Sequence, residues 1–222
     1  MKPFYLHSTS LAQYLASAGP PGDAGPWSWP EDALERLAQV QTLEGARPIE
    51  IEVGAGKGEF LCAAAQERPD RLFVGLEWQK GRFDTIVKRA TNLGLANVLA
   101  ARADAHWFLG QHVKSGALDA VHVYFPDPWP KRRHHKRRLV NTSFLALVAD
   151  RLKGGGSFQL ITDHAPYLEW TCEQLVELGF AFASLIGEGA VLAAMESVTT
   201  KFYRLTQKAG VGPAGVRWVK PV

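Results

Sequence analysis

Two short stretches of this chain hold residue types whose spacing could do chemistry. The first is Glu52-Val-Gly54-Ala-Gly56-Lys-Gly58, three alternate glycines behind an acid. Glycines so spaced let a backbone turn through positive φ and approach a ligand closely. A dinucleotide fingerprint would need its third glycine where Glu59 stands, and the Gly-Lys-Ser/Thr ending of a phosphate loop is not there either. Glu52 carries the wrong sign for a phosphate and the right one for an amino-acid ammonium. The second stretch is Phe125-Pro126-Asp127-Pro128-Trp129-Pro130. Prolines on both sides of Asp127 restrict its backbone and hold a carboxylate in place. Trp129 offers a face on which a base can stack, or a core aromatic.

A basic run follows at once. Lys131-Arg132-Arg133-His134-His135-Lys136-Arg137-Arg138 holds six of the chain's 25 Lys and Arg in eight residues. Taking those six from 25 leaves 19 against 22 acids, so a mildly acidic protein carries one concentrated basic patch. That distribution suits contact with a polyanionic backbone, although a solvated loop would read the same way.

The elements that must position these residues alternate between strand and helix. Strands are predicted at Ile49–Val53, Leu72–Leu76, Val98–Ala101, Asp119–Phe125 and Ser157–Thr162. Helices are predicted at Glu59–Glu67, Gln79–Asn92 and Tyr167–Leu178, with another carrying Phe144, Leu145, Val148 and Leu152 between a cap at Asn141 or Thr142 and Gly154. Ala181–Ile186 and Lys201–Thr206 read as two last strands with no helix between them. The expected fold is α/β, a doubly wound, mostly parallel seven-stranded sheet with helices on both faces. Ligands of such sheets sit outside the carboxyl ends of the strands, and each polar motif falls at such an end. Glu77 closes the second strand, 25 residues after Glu52, where an acid pairs with ribose hydroxyls. Asp104 follows the third strand, where an adenine amino group would need an acceptor. Each acid alone reads more readily as a helix cap or a surface acid. Together with Glu-x-Gly-x-Gly-x-Gly, the pattern of S-adenosylmethionine (SAM) sites, they point to a nucleoside-bearing cofactor held by Glu52, Gly54, Gly56, Gly58, Glu77 and Asp104.

Composition bounds the rest. The chain has 222 residues, 46% hydrophobic and 21% charged, enough for one domain with a sizeable core. Gly19–Pro30 holds four prolines and three glycines, so residues 1–30 read as an arm or linker. A short amphipathic helix is predicted at Glu31–Leu43, within a catalytic domain spanning 31–222. Apolar stretches such as Phe60–Ala65 are too short to cross a membrane, and Met1–Ser10 lacks the apolar segment of a signal peptide. Two cysteines, Cys62 and Cys172, give neither metal spacing nor a disulfide framework. The expectation is a cytoplasmic protein without metal, its oligomeric state open.

Four segments in order, Glu-x-Gly-x-Gly-x-Gly, Phe125–Arg138, Thr162-Asp163-x-x-Pro166-Tyr167 and Thr200-Lys201-Phe202, resemble the bacterial tRNA (guanine-N7-)-methyltransferase family. The resemblance implies a Rossmann-like class I SAM-dependent fold and methyl transfer to N7 of guanine 46 in the tRNA variable region. It also implies that Asp127 contacts the SAM cofactor and serves the catalytic centre, that Lys131, Asp163, Thr200, Lys201, Phe202 and Tyr203 meet the substrate, and that Arg132, Arg133, Lys136, Arg137 and Arg138 meet the RNA. The family usually has Glu where this chain has Tyr203, a weaker acceptor for the guanine edge. A methyltransferase with another nucleic-acid target, or a non-catalytic RNA-binding relative, remains an alternative.

Overall fold

The computed structural model describes residues 47–180, 183–186 and 212–222. Among these residues seven strands form one sheet: β1 (Ile49–Val53), β2 (Leu72–Leu76), β3 (Val98–Ala101), β4 (Leu118–Tyr124), β5 (Leu152–Thr162), β6 (Ala183–Ile186) and β7 (Ala214–Val219). Their order is β3-β2-β1-β4-β5-β7-β6. The first five strands run parallel, and β7 lies antiparallel to both β5 and β6. Strand order reverses between β1 and β4, which puts the crevice of a doubly wound sheet at the carboxyl ends of those two strands.

Among the described residues five α-helices cover the sheet: α1 (Glu59–Glu67), α2 (Lys80–Asn92), α3 (Ala105–His112), α4 (Thr142–Arg151) and α5 (Ala165–Glu177). Alternation along each strand sorts the core into two layers. Ile49, Ile51 and Val53 of β1 join Val121, Val123, Phe158 and Leu160 under Phe108, Phe144, Leu145 and Tyr167 from α3, α4 and α5. On the opposite face Phe73, Tyr124 and Ile161 pack with Phe60, Leu61, Phe83 and Ile86 from α1 and α2. Helices therefore lie on both faces, as the alternating pattern predicts.

Several boundaries differ from the sequence expectation. α4 ends at Arg151, and Gly154, expected as its cap, lies inside β5. β4 stops at Tyr124 because Phe125 turns to φ 48°. The helix α3 and a six-residue 3-10 helix at Arg132–Arg137 were not foreseen. The strand expected at Lys201–Thr206, like the segments 1–30 and Glu31–Leu43, lies outside the described residues. The strand that completes the described sheet is β7, built from Ala214–Val219, where the Gly and Pro around it hide a Val-Arg-Trp-Val alternation.

Candidate active site

The glycine turn leaves β1 with Gly54, Gly56 and Gly58 at φ 72°, 58° and 69°. Side chains would be strained at all three, and Cβ atoms at Gly54 or Gly56 would project into open space, with no atom nearer than 4.0 Å. At Gly58 a Cβ would instead press on Ile86 at 3.2 Å. The loop thus keeps a backbone cradle open while seating α1 against α2.

Glu52 sits beneath that cradle with 6% exposure, and its Oε2 has no hydrogen-bond partner among the described residues. Loss of water pushes its carboxyl up to about 8; Glu77 and Glu59 add to the rise, and a hydrogen bond from the Leu61 backbone opposes it. A buried carboxylate with an idle oxygen is costly unless a cation or donor arrives. An amino-acid ammonium is such a partner. Glu77, also buried, bridges the crevice: its Oε2 accepts from the Gly56 N–H at 2.9 Å and its Oε1 from the Gln79 N–H at 2.8 Å. The ends of β1 and β2 are thereby tied together around one carboxylate. Asp104 is the N-cap of α3, its Oδ1 accepting from the Trp107 N–H at 2.8 Å, and its side chain reaches solvent at the end of β3.

Asp127 is exposed at the end of β4, in a loop whose two aromatic residues both turn left-handed, Phe125 at φ 48° and Trp129 at φ 45°. Such conformations in bulky residues persist only where surroundings hold them, and they cluster at functional sites. The basic run then coils into the 3-10 helix. Lys131, Arg132, Arg133, Lys136 and Arg137 are exposed, and Arg137 lies over the Trp129 ring at 5.0 Å. Arg138 is the correction. It is 3% exposed, its guanidinium lies over Tyr167 and Trp170 at 5.0 and 5.2 Å, and its Nε donates to the Pro128 carbonyl at 3.0 Å. Position in the run cannot distinguish it, but a buried side chain does not meet phosphate.

Asp163 follows β5 and is exposed. The cap of α5 is its neighbour His164, whose Nδ1 accepts from the Tyr167 N–H at 3.1 Å, so Asp163 does not cap that helix. Thr200, Lys201, Phe202 and Tyr203 lie outside the described residues. Glu52, Glu77, Asp104, Asp127 and Asp163 thus stand at the carboxyl ends of five parallel strands, along one edge of the sheet.

Sequence reasoning passed over a buried polar ladder beneath the glycine turn. Glu50 Oε1 accepts from Arg68 at 2.7 Å and Arg71 at 2.9 Å, and its Oε2 from His122 Nε2 at 2.9 Å. His122 Nδ1 and the Tyr124 hydroxyl are 2.9 Å apart, and that hydroxyl is 3.0 Å from Gln159 Oε1. Burial alone would raise Glu50, but His122, Arg68 and Arg71 hold it down to about 2. The readable signal was polar residues at alternate positions, Glu50 and Glu52 on β1 and His122 and Tyr124 on β4.

Comparison with known proteins agrees with this geometry. Residues 46–212 match a family described as "Putative methyltransferase". A tRNA (guanine-N(7)-)-methyltransferase of Nocardioides sp. is 39% identical over 187 residues, 83% of this chain and 73% of the relative. One from Nitrosococcus oceani is 35% identical over 200 residues, 87% of this chain and 82% of that protein. Among solved structures, the 16S rRNA methyltransferase KamB aligns with a TM-score of 0.63 at 20% identity, covering 88% of this chain and 95% of its own. That last likeness concerns the fold. On the sequence matches, with the glycine turn and the Phe125–Arg138 segment in place, the chain belongs to the tRNA (guanine-N7-)-methyltransferase family.

Proposed function

We propose that this protein methylates N7 of guanine 46 in the variable region of tRNA, with SAM as methyl donor, in the cytoplasm. The observation that carries the reading is the idle, buried Oε2 of Glu52 beneath an open glycine cradle, on the same sheet edge as Asp127 and its basic helix. A cofactor with an ammonium, a ribose and an adenine matches Glu52, Glu77 and Asp104 in turn. When bound, SAM supplies an electrophilic methyl and departs as a neutral thioether, so the purine acquires the positive charge.

Guanine N7 already has a free lone pair, so no side chain need act as a strong base. The protein's work is alignment and charge support. Asp127, fixed between prolines, and Asp163, released from capping, are carboxylates suited to hold the base and to face the charge it gains. Lys131 and the segment Thr200–Tyr203 complete the substrate contacts by family resemblance. The exposed cations from Arg132 to Arg137 meet the backbone. Where guanine is held in the folded tRNA, exposing it costs a few kcal/mol.

The test is incubation of purified protein with isotopically labelled SAM and unmodified tRNA, followed by nucleoside analysis and mapping of the labelled position. Labelled 7-methylguanosine at position 46 is expected. Label on an exocyclic amine would favour a different nucleic-acid methyltransferase, and no SAM binding in calorimetry would favour a non-catalytic relative.

A further inference from the structure

We infer that Arg138 is a positioning residue that locks the Asp127 loop onto α5, and so fixes Asp127 relative to Asp163. The inference rests on the methyltransferase reading for its kinetic consequence, though not for its geometry.

Three prolines, Pro126, Pro128 and Pro130, remove half the backbone donors of this loop, while the Phe125 N–H donates to the Ile161 carbonyl at 2.8 Å. A carbonyl is the one hydrogen-bonding group Pro128 has, and Arg138 Nε binds it at 3.0 Å. The loop is also strained on both sides of Asp127, at Phe125 and Trp129, and such strain needs an outside hold. Arg138 supplies that hold from a fixed base. Its guanidinium lies over two rings of α5, Tyr167 and Trp170. Those rings are themselves pinned to one residue, because Tyr167 Oη accepts from the Val140 N–H at 3.1 Å and Trp170 Nε1 donates to the Val140 carbonyl at 2.8 Å. Among the described residues no carboxylate forms an ion pair with Arg138; ring faces and a carbonyl receive it. A planar guanidinium suits that slot, whereas a lysine ammonium cannot lie flat on a ring and reach a carbonyl together. α5 begins just after Asp163, so the slot joins the two carboxylate-bearing segments.

The experiment compares R138K, W170L and R132Q with wild type. In R138K, kcat at saturating tRNA should fall about tenfold to a hundredfold, the cost of a reacting group held slightly out of place. Its salt dependence of tRNA binding should match wild type, while R132Q, a change to an exposed cation, lowers that slope. Amide exchange at Asp127 and Trp129, measured on the protein alone, should quicken in R138K. W170L keeps the guanidinium but removes one face of its slot, and should show the same two changes; it decides the matter if R138K fails to fold. Unchanged exchange at Asp127, or a lowered salt slope with kcat intact, overturns the inference. A wild type that makes no 7-methylguanosine would instead sink the functional reading and leave the exchange data to judge the lock.

Discussion

The Glu52 carboxyl is almost wholly buried at the end of β1. That burial makes a pH prediction. Below about 8 the free protein carries Glu52 protonated, and an arriving ammonium favours the carboxylate, so SAM binding should release a proton and tighten as pH rises toward 8. Calorimetry in buffers of different ionisation enthalpy measures that release directly. In Glu52→Gln the proton release should vanish and affinity should fall about tenfold or more, the worth of a charge-assisted hydrogen bond. Glu77→Ala should weaken SAM comparably, since both its oxygens already organise the crevice. Unchanged affinity in both variants would remove SAM from this site. Tyr203 tests the substrate side, where the chain departs from its family: Tyr203→Glu should keep or raise 7-methylguanosine yield on tRNA, and abolished turnover would mean the target base has changed. Arg138 was illegible for a plain reason. Six cations in eight residues look alike in sequence, and the distinguishing signal, Tyr167 and Trp170 three apart on one helix face, lies far along the chain.

Elements of strong period were readable, and those shaped by contacts elsewhere were not. β1 to β3, α1 and α2 follow from apolar periodicity alone. Gly154 reads as a helix cap, yet it lies inside β5 with Gly155 and Gly156, and a Cβ at Gly156 would sit 2.9 Å from the carbonyls of Leu118 and Lys153. β7 shows the same effect at Gly215, where a Cβ would collide with the Leu160 carbonyl. Gly215→Ala should therefore push β7 off β5 and destabilise the fold by about 1–3 kcal/mol, as overpacking does, with the melting temperature as readout; an unchanged value would mean that β5 and β7 yield freely. The 3-10 helix makes its own prediction. Neutralising Arg132, Arg133, Lys136 and Arg137 should raise KM for tRNA, leave SAM affinity alone and flatten the log–log salt slope by somewhat under one unit per lost phosphate contact. A slope that does not move would make the run a solvated loop.

Across the whole molecule, Glu50 and Glu52 impose opposite pH trends from one face of one strand. Glu50 is held down to about 2, so its stabilisation is present above the ordinary carboxylate range near 4.5 and lost as pH falls toward 2. Glu52 is raised to about 8, so its contribution is present below 4.5 and lost as pH rises through 8. The ligand-free protein should be most stable between these flanks. Melting temperature against pH should show Glu52→Gln flattening the alkaline flank, and SAM lifting the same flank in wild type. The fold class was legible at this scale because strand and helix alternate, whereas the order of the last strands was set by pairing that no local pattern records. That order has a consequence for how the chain is made. Among the described residues β7 is the last strand in sequence, yet it lies inside the sheet, between β5 and β6. During vectorial synthesis β5 must wait with one edge open, and β6 has no neighbour in the described sheet until β7 arrives. Over that interval an unpaired strand edge stands open, and such an edge is a template for other chains. Slow decoding between β6 and β7 should therefore lower soluble yield without changing the finished fold.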